Sequence, residues 1–167
     1  MILSQEWQYL RLYDCGPHAQ LVLDVIEGEQ FNFKIMLGAD IAAEQSNPNC
    51  PWGAQHSDEE LQLNRQANIT QINKLIEFSL AYPSIICSVS IGNEASVEWT
   101  DHLVPVESLI EYTRTIKSKI TQPVTFCENY VPWVEKLPEL VEELDFISIH
   151  TYPAWEYQTM VSALAYT

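Results

Sequence analysis

Apolar positions change their spacing repeatedly along this chain. Short runs rich in β-branched and aromatic residues alternate with longer stretches in which apolar residues return every three or four positions. Tyr9-Leu10-Arg11-Leu12-Tyr13 reads as a short strand, stopped by Asp14-Cys15-Gly16-Pro17. Ala19 to Glu27 then carries Leu21, Leu23, Val25 and Ile26 on a helical pattern that Gly28 ends. Phe31 to Leu37 is the next strand, and Gln45 to Ser57 is a polar loop, long for a plain connection. Ser57 is placed to cap a helix whose first turn holds Asp58, Glu59 and Glu60, where the helix dipole favours acid. That helix runs to about Ala81, with Leu61, Asn64, Asn68, Ile72, Leu75, Ile76 and Phe78 near one face. Ile85 to Ile91 is a strand, and a helix follows from Pro105 to about Ile120. Pro123 to Cys127 is a strand, Val134 to Leu144 a helix despite Pro138, and Asp145 to Ile149 a strand. From Gln158 another helix opens.

The predicted order is β-α repeated five times, which argues for a parallel sheet with right-handed crossovers. Each strand finishes in polar or aromatic groups: Tyr13-Asp14, Asp40, Asn93-Glu94, Glu128-Asn129-Tyr130, and His150 with Tyr152 and Trp155. A doubly wound sheet gathers its site at one switch point, so functional groups at every strand end favour a TIM-type barrel. Such a barrel needs eight strands and typically about 250 residues. Five strands in 167 residues are too few to close one. The sheet is therefore expected to be open, or the chain to be a piece of a longer barrel.

Composition narrows the function. The net charge of −15, from 23 acidic and 8 basic residues, argues against nucleic acid or an anionic membrane surface as partner. A neutral ligand such as a sugar is not repelled. No apolar run is long enough to span a bilayer. The start, Met1 to Trp7, has neither a basic segment nor an apolar one, so no signal peptide is expected, and the chain reads as cytoplasmic if its N-terminus is genuine. Neither G-x-G-x-x-G nor G-x-x-x-x-G-K-[ST] occurs, and no cofactor is expected. Cys15, Cys50, Cys87 and Cys127 lack C-x-x-C spacing and read as buried, inert thiols. Asn68-Ile69-Thr70 fits a glycosylation sequon inside a helix and is taken as chance.

The densest chemistry lies at Ile91-Gly92-Asn93-Glu94, where a carboxylate follows an apolar strand. In parallel α/β folds that end is where ligands gather, and a Glu kept protonated there acts as a general acid. A solvated loop Glu is the plain alternative. Tyr13, Tyr152 and Trp155 read either as walls that stack on sugar faces or as core packing. Trp52 and Trp99 fall in long loops and suit a surface or subsite role, while Asp101 with His102 is either a substrate contact or a loop-stabilising pair.

Five segments, in order along nearly the whole chain, carry a resemblance. They are Leu10-Arg11-Leu12-Tyr13-Asp14, Ile91-Gly92-Asn93-Glu94, Val97-Glu98-Trp99-Thr100-Asp101-His102, Phe126-Cys127-Glu128-Asn129-Tyr130-Val131-Pro132-Trp133 and Asp145-Phe146-Ile147-Ser148-Ile149-His150-Thr151-Tyr152-Pro153. The chain resembles glycoside hydrolase family 17, particularly its bacterial-type members: (β/α)8 barrels that cleave or transfer β-1,3-glucans and related β-glucans by a retaining mechanism. The resemblance implies that residues 1–167 are an incomplete catalytic barrel holding the family's second to sixth strands, without the first and the last two. It implies β-glucan as the partner and places the family's acid/base on Glu94. It also implies that Asn93 binds the sugar 2-hydroxyl, that Glu128 orients a sugar hydroxyl or neighbours the acid, and that His150 belongs to the site. The family's nucleophile lies in a Glu-(Thr/Ser/Ala)-Gly-Trp motif that this sequence does not contain, so the chain alone is expected to be inactive.

Two other classes fit parts of the pattern. A non-catalytic glucan-binding remnant needs only the sugar-binding surface. A metal-dependent sugar isomerase-type barrel would use Asp40, Glu94, Glu128 and His150 as ligands at successive strand ends. The Asn before Glu94 counts against the latter.

Overall fold

A computed structural model describes residues 7–166. Five strands alternate with helices: β1 (Tyr9–Leu12), α1 (Pro17–Gly28), β2 (Lys34–Gly38), α2 (Asp58–Ala81), β3 (Ile86–Asn93), α3 (Val106–Lys117), β4 (Val124–Asn129), α4 (Tyr130–Glu135), α5 (Pro138–Val141), β5 (Ser148–His150) and α6 (Met160–Tyr166). Every strand pairs in parallel with the next, in the order β1-β2-β3-β4-β5. The sheet curls: Arg11 on β1 reaches His150 on β5, from the first described strand to the last. The architecture is a half-barrel of the TIM type. Among the described residues no helix is long and apolar enough to cross a membrane. The signal-peptide expectation falls largely on residues 1–6, which lie outside the described residues.

Alternation along each strand sorts the side chains onto two faces. Ile35 and Leu37 of β2, Val89 of β3, and Val124 and Phe126 of β4 turn outward into one core with Leu23 of α1, Ile72, Leu75 and Phe78 of α2, and Leu109 and Ile116 of α3. The other face carries Arg11, Ser90, Thr125, Cys127, Ser148 and His150 and lines the concave side. The first two long helices begin at or near their expected starts. α1 opens at Pro17, two residues ahead of the expected Ala19. Ser57 caps α2 in a full capping box: its Oγ accepts from Glu60 N at 3.2 Å, and the Glu60 carboxylate accepts from Ser57 N at 2.7 Å.

Three expectations change. Val134–Leu144 is not one helix. α4 starts directly after β4, and Pro138, which lacks an N–H and cannot sit inside a helix, opens the separate α5. Several strand bounds also move by one to three residues, because pairing rather than apolarity sets them. Cys87 is exposed rather than buried. Its neighbours Ile86 and Ser88 face the consecutive residues Ile35 and Met36, so Cys87 is an extra residue in β3, turned out of the alternation by a bulge.

The long segment between β2 and α2 is anchored rather than loose. Asn68, buried in mid-helix, accepts from Ala42 N at 2.7 Å and donates to Ala42 O at 2.9 Å and to Glu44 at 2.8 Å. Its burial is incompatible with a glycan on the folded chain. Glu44 also accepts from Arg65 and from the Tyr112 hydroxyl, tying α2 to α3. Burial opposes charge on Glu44, but these hydrogen bonds outweigh it and hold the carboxyl below its ordinary value. Further along, Asn47 donates to the carbonyls of Glu98 and Thr100 at 2.8 and 2.7 Å, joining this segment to the loop after β3. Asn68→Ala leaves a buried backbone N–H and C=O without partners and is expected to cost about 2–3 kcal/mol in urea unfolding. A loss below about 0.5 kcal/mol would show that the segment is not held through Asn68.

Candidate active site

The C-terminal end of β3 sets the site. Between Ser90, opposite Thr125, and Asn93, opposite Cys127, β3 carries a second extra residue. Bulges of this kind re-aim the side chains that follow. Gly92 sits in the bulge, where a Cβ would come within 2.6 Å of Ile41 Cδ1 and 3.2 Å of Phe126 Cε2; only glycine fits without displacing the core. The result turns Asn93 to the concave side. Glu94 then takes a left-handed backbone conformation, φ +50°, unusual for a residue with a side chain, while its N–H donates to Cys127 O at 2.8 Å.

Two donors converge on one oxygen of Glu94. His150 Nδ1 lies 2.8 Å from Oε1, and the Tyr152 hydroxyl donates to the same atom at 2.5 Å. The Glu94 side chain is 13% exposed, so it is held yet reachable. Arg11 completes the group: Nη2 donates to Asn93 Oδ1 at 2.7 Å, Nη1 lies 3.1 Å from His150 Nε2, and the guanidinium stacks on Tyr13 at 4.3 Å. The Cys127 thiol and the Glu94 carboxylate favour a charged His150, against burial and Arg11, and the ring's pKa lies above its ordinary value. Burial pushes the Tyr152 hydroxyl up, and its bond to Glu94 adds to the shift. Burial opposes the Cys127 thiolate, but His150, Ser90, Arg11 and Ser148 outweigh it and hold the thiol below its usual value.

Beside this group lies a cleft of about 420 Å³ lined by Pro51, Trp52, Trp99, Asn129, Tyr152, Trp155 and Glu156. Tyr152 and Trp155 stack face to face, ring centres 5.6 Å apart and planes 28° from parallel, forming a flat aromatic shelf. Trp155 is 80% exposed and Tyr13 57%, so neither is core packing. The order of the shelf follows from anchoring: the β2–α2 segment that brings in Trp52 and the loop that brings in Trp99 are the two joined by Asn47.

The expected residues thus divide. Asn93, Glu94, His150 and Tyr152 come together, with Tyr13 and Trp155 alongside. Glu128 does not open onto the cleft. It shares the outward face of Val124 and Phe126, two and four residues before it, and is fully buried. Both its oxygens accept backbone N–H groups, from Ser96 at 2.7 Å and Asn129 at 2.6 Å. It braces the loop that follows Glu94 from behind and takes no place where a sugar hydroxyl could reach it. His102 is engaged as a loop brace too, with Nε2 2.9 Å from Asn93 O and Nδ1 2.7 Å from Asp101. Among the described residues no three His, Cys, Asp or Glu side chains gather as a metal cage. The isomerase-type ligand set is therefore not assembled, because Glu128 faces away from Glu94 and His150.

Arg11 and Cys127 are the members that the sequence reading did not single out. Parity could have found both: each sits one residue out of step with the apolar positions of its strand, Leu10 and Leu12 around Arg11 and Phe126 before Cys127.

Burial pushes the Glu128 pKa up to about 7, against the pull of its two backbone hydrogen bonds. A raised value in the folded state means stability that is complete below the ordinary carboxyl range and is lost as pH rises through about 7. His150, also raised, acts in the same direction. Urea midpoints should therefore fall between about pH 5 and pH 8, and the fall should shrink in Glu128→Gln, which cannot titrate. Identical pH slopes in the two proteins would refute the shift.

No protein-family model matches the sequence, and no curated protein matches it by sequence. Solved structures do match the fold. An endo-laminarinase from Formosa Hel1_33_131 superposes over 93% of this chain and 43% of its own, with a TM-score of 0.74 and 21% identity. A β-glucuronidase from an uncultured Clostridium sp. superposes over 92% of this chain and 24% of its own, with a TM-score of 0.58 and 17% identity. The chain thus spans less than half the length of either neighbour. Both are glycoside hydrolases, and the half-barrel described above has a glycosidase-like fold.

Proposed function

We propose that the chain belongs to a retaining glycoside hydrolase or transglycosylase that acts on β-1,3-glucan-type polysaccharide, with Glu94 as its acid/base. The observation that carries this reading is the hold on Glu94: a reachable carboxyl group at a strand's C-terminal end, pinned through one oxygen by His150 and Tyr152, beside a shelf of stacked aromatic rings. The five sequence segments that resemble glycoside hydrolase family 17 support the same assignment, as does the likeness in fold to an endo-laminarinase.

In a retaining mechanism one carboxylate attacks the anomeric carbon while a carboxylic acid about 5–5.5 Å away protonates the leaving oxygen, then as a base activates water or an acceptor sugar. Glu94 takes the second role, with Oε2 as the oxygen that gives and takes the proton, since Oε1 already receives two donors. Asn93 lies next to it on the concave side, where its amide binds the sugar 2-hydroxyl, a contact that strengthens in the transition state. Tyr13, Tyr152 and Trp155 offer flat faces to the apolar side of pyranose rings. Glu128 is no candidate for the nucleophile, because it is buried on the opposite face of the sheet. The nucleophile comes from outside residues 7–166.

In the protein that carries this chain, Glu94→Gln keeps the shape but has no proton to give. It should lower turnover on β-1,3-glucan by about 10²–10⁴-fold while leaving binding nearly intact. A glycoside with an activated aryl leaving group needs no acid and should keep its first step. Equal losses on both substrates would remove Glu94 from the acid role. Binding of β-1,3-gluco-oligosaccharides with no turnover in the unmutated protein would favour a non-catalytic glucan-binding role.

A further inference from the structure

Arg11 is an expensive residue for this fold to keep. It stands on the concave face of a strand whose neighbours Leu10 and Leu12 pack into the core, and its Nε is buried without a hydrogen-bond partner among the described residues. Unpaired buried polar atoms are rare and mark sites where another constraint dominates. Here the constraint is visible in the other two nitrogens, which reach two different strands: Nη2 to Asn93 at the end of β3, and Nη1 to His150 on β5.

The contact with His150 has a chemical consequence. A guanidinium has donors only and never accepts. At 3.1 Å from Nη1, Nε2 of His150 must therefore present its lone pair. The ring proton then sits on Nδ1, the nitrogen 2.8 Å from Glu94 Oε1. One contact on the far side of the imidazole thus decides what its near side offers to the carboxyl group.

We propose that Arg11 is a positioning residue for Glu94: by occupying Nε2 it fixes the neutral form of His150 as the Nδ1–H tautomer, which donates to Oε1 and leaves Oε2 to carry the transferable proton. A ring free at Nε2 could take a second proton. As an imidazolium it would favour the carboxylate form of its neighbour, the form that has no proton to give. Arg11 works against that charge in two ways, by blocking the site of protonation and by repulsion. The other ionisable groups that face His150 are Glu94 beyond β3, Cys127 on β4 and Tyr152 beyond β5, while Glu128 interacts with it only electrostatically, from the opposite face of β4. Cys127 and Glu94 favour the charged ring, so Arg11 is the cation that opposes them.

The proposal rests on Glu94 as the acid, yet its test reads the imidazole without turnover, so the two readings can fail separately. The full chain is labelled with ¹⁵N in its histidine rings, and long-range proton–nitrogen correlation spectra are recorded. His150 is assigned by the signals that disappear in His150→Phe. At about pH 8.5, above the ordinary histidine range, the wild-type spectrum should show the proton on Nδ1 and a bare Nε2. In Arg11→Met the His150 titration midpoint should rise by about one pH unit, and in Arg11→Lys, which keeps a cation but not the fork, by less. A proton on Nε2 in the wild type overturns the proposal at once, with no variant needed. An unchanged or lowered midpoint in a folded Arg11→Met also overturns it, because an arginine that served only to brace the strands would leave the ring's titration where it was.

Discussion

Everything in the site depends on one constraint of parallel strands, the alternation of side chains between two faces. The outward face of β2, β3 and β4 is covered by α1, α2 and α3 and is almost wholly apolar. That burial, rather than any polar contact, supplies the driving force for the fold. The inward face is then free to carry groups that a core would not tolerate, and Arg11, Asn93, Cys127 and His150 occupy it on four different strands. Glu128 falls on the other side of the same rule. A carboxyl group one residue out of step with the concave face becomes a buried brace, accepting two backbone N–H groups, instead of a group that meets ligand.

Where the rule is broken, it is broken locally and to effect. β3 has one residue more than its partner strand at Cys87 and again before Asn93. The second irregularity puts Asn93 on the concave side and leaves Glu94 in a left-handed backbone conformation that costs about 1–3 kcal/mol. The surroundings hold that strain in place. Gly92 leaves room for Ile41 and Phe126, the Glu94 N–H is bonded to Cys127 O, Glu128 fixes the backbone at Ser96, and His102 fixes the carbonyl of Asn93. The carboxyl group is thus aimed by four neighbours before its own side chain makes a contact.

Polar contacts among Arg11, Asn93, Glu94, His150 and Tyr152 also connect strands that do not pair with each other. β1 and β5 lie at opposite ends of the described sheet, and the Arg11–His150 contact crosses the concave space between them. Such a network specifies curvature as well as chemistry, since flattening the sheet would separate its members. The aromatic shelf is held less deeply. Trp52, Trp99 and Trp155 are carried by loops, and their common cleft depends on the Asn47 bridge between two of those loops and on the stacking of Trp155 upon Tyr152.

The chain's own pattern determined the alternation of strands and helices, the parallel sheet, the capped start of α2 and the gathering of functional groups at strand ends. These follow from spacing and local chemistry: apolar period, a Ser three residues before a Glu, a Pro at a first helical turn. Asn93, Glu94, His150 and Tyr152 were legible because each follows an apolar strand, and strand ends in such sheets lie together. Tertiary structure decided the rest. A one-residue bulge is invisible in apolar spacing, so the exposure of Cys87 and the aim of Asn93 emerged only with the register of neighbouring strands. The enclosure of Glu128 depended on which face of β4 meets α4, and the place of Arg11 on the approach of β1 to β5. Burial and partnership are properties of pairs of segments far apart in the chain, and a single sequence read along its length carries no direct record of which pairs meet.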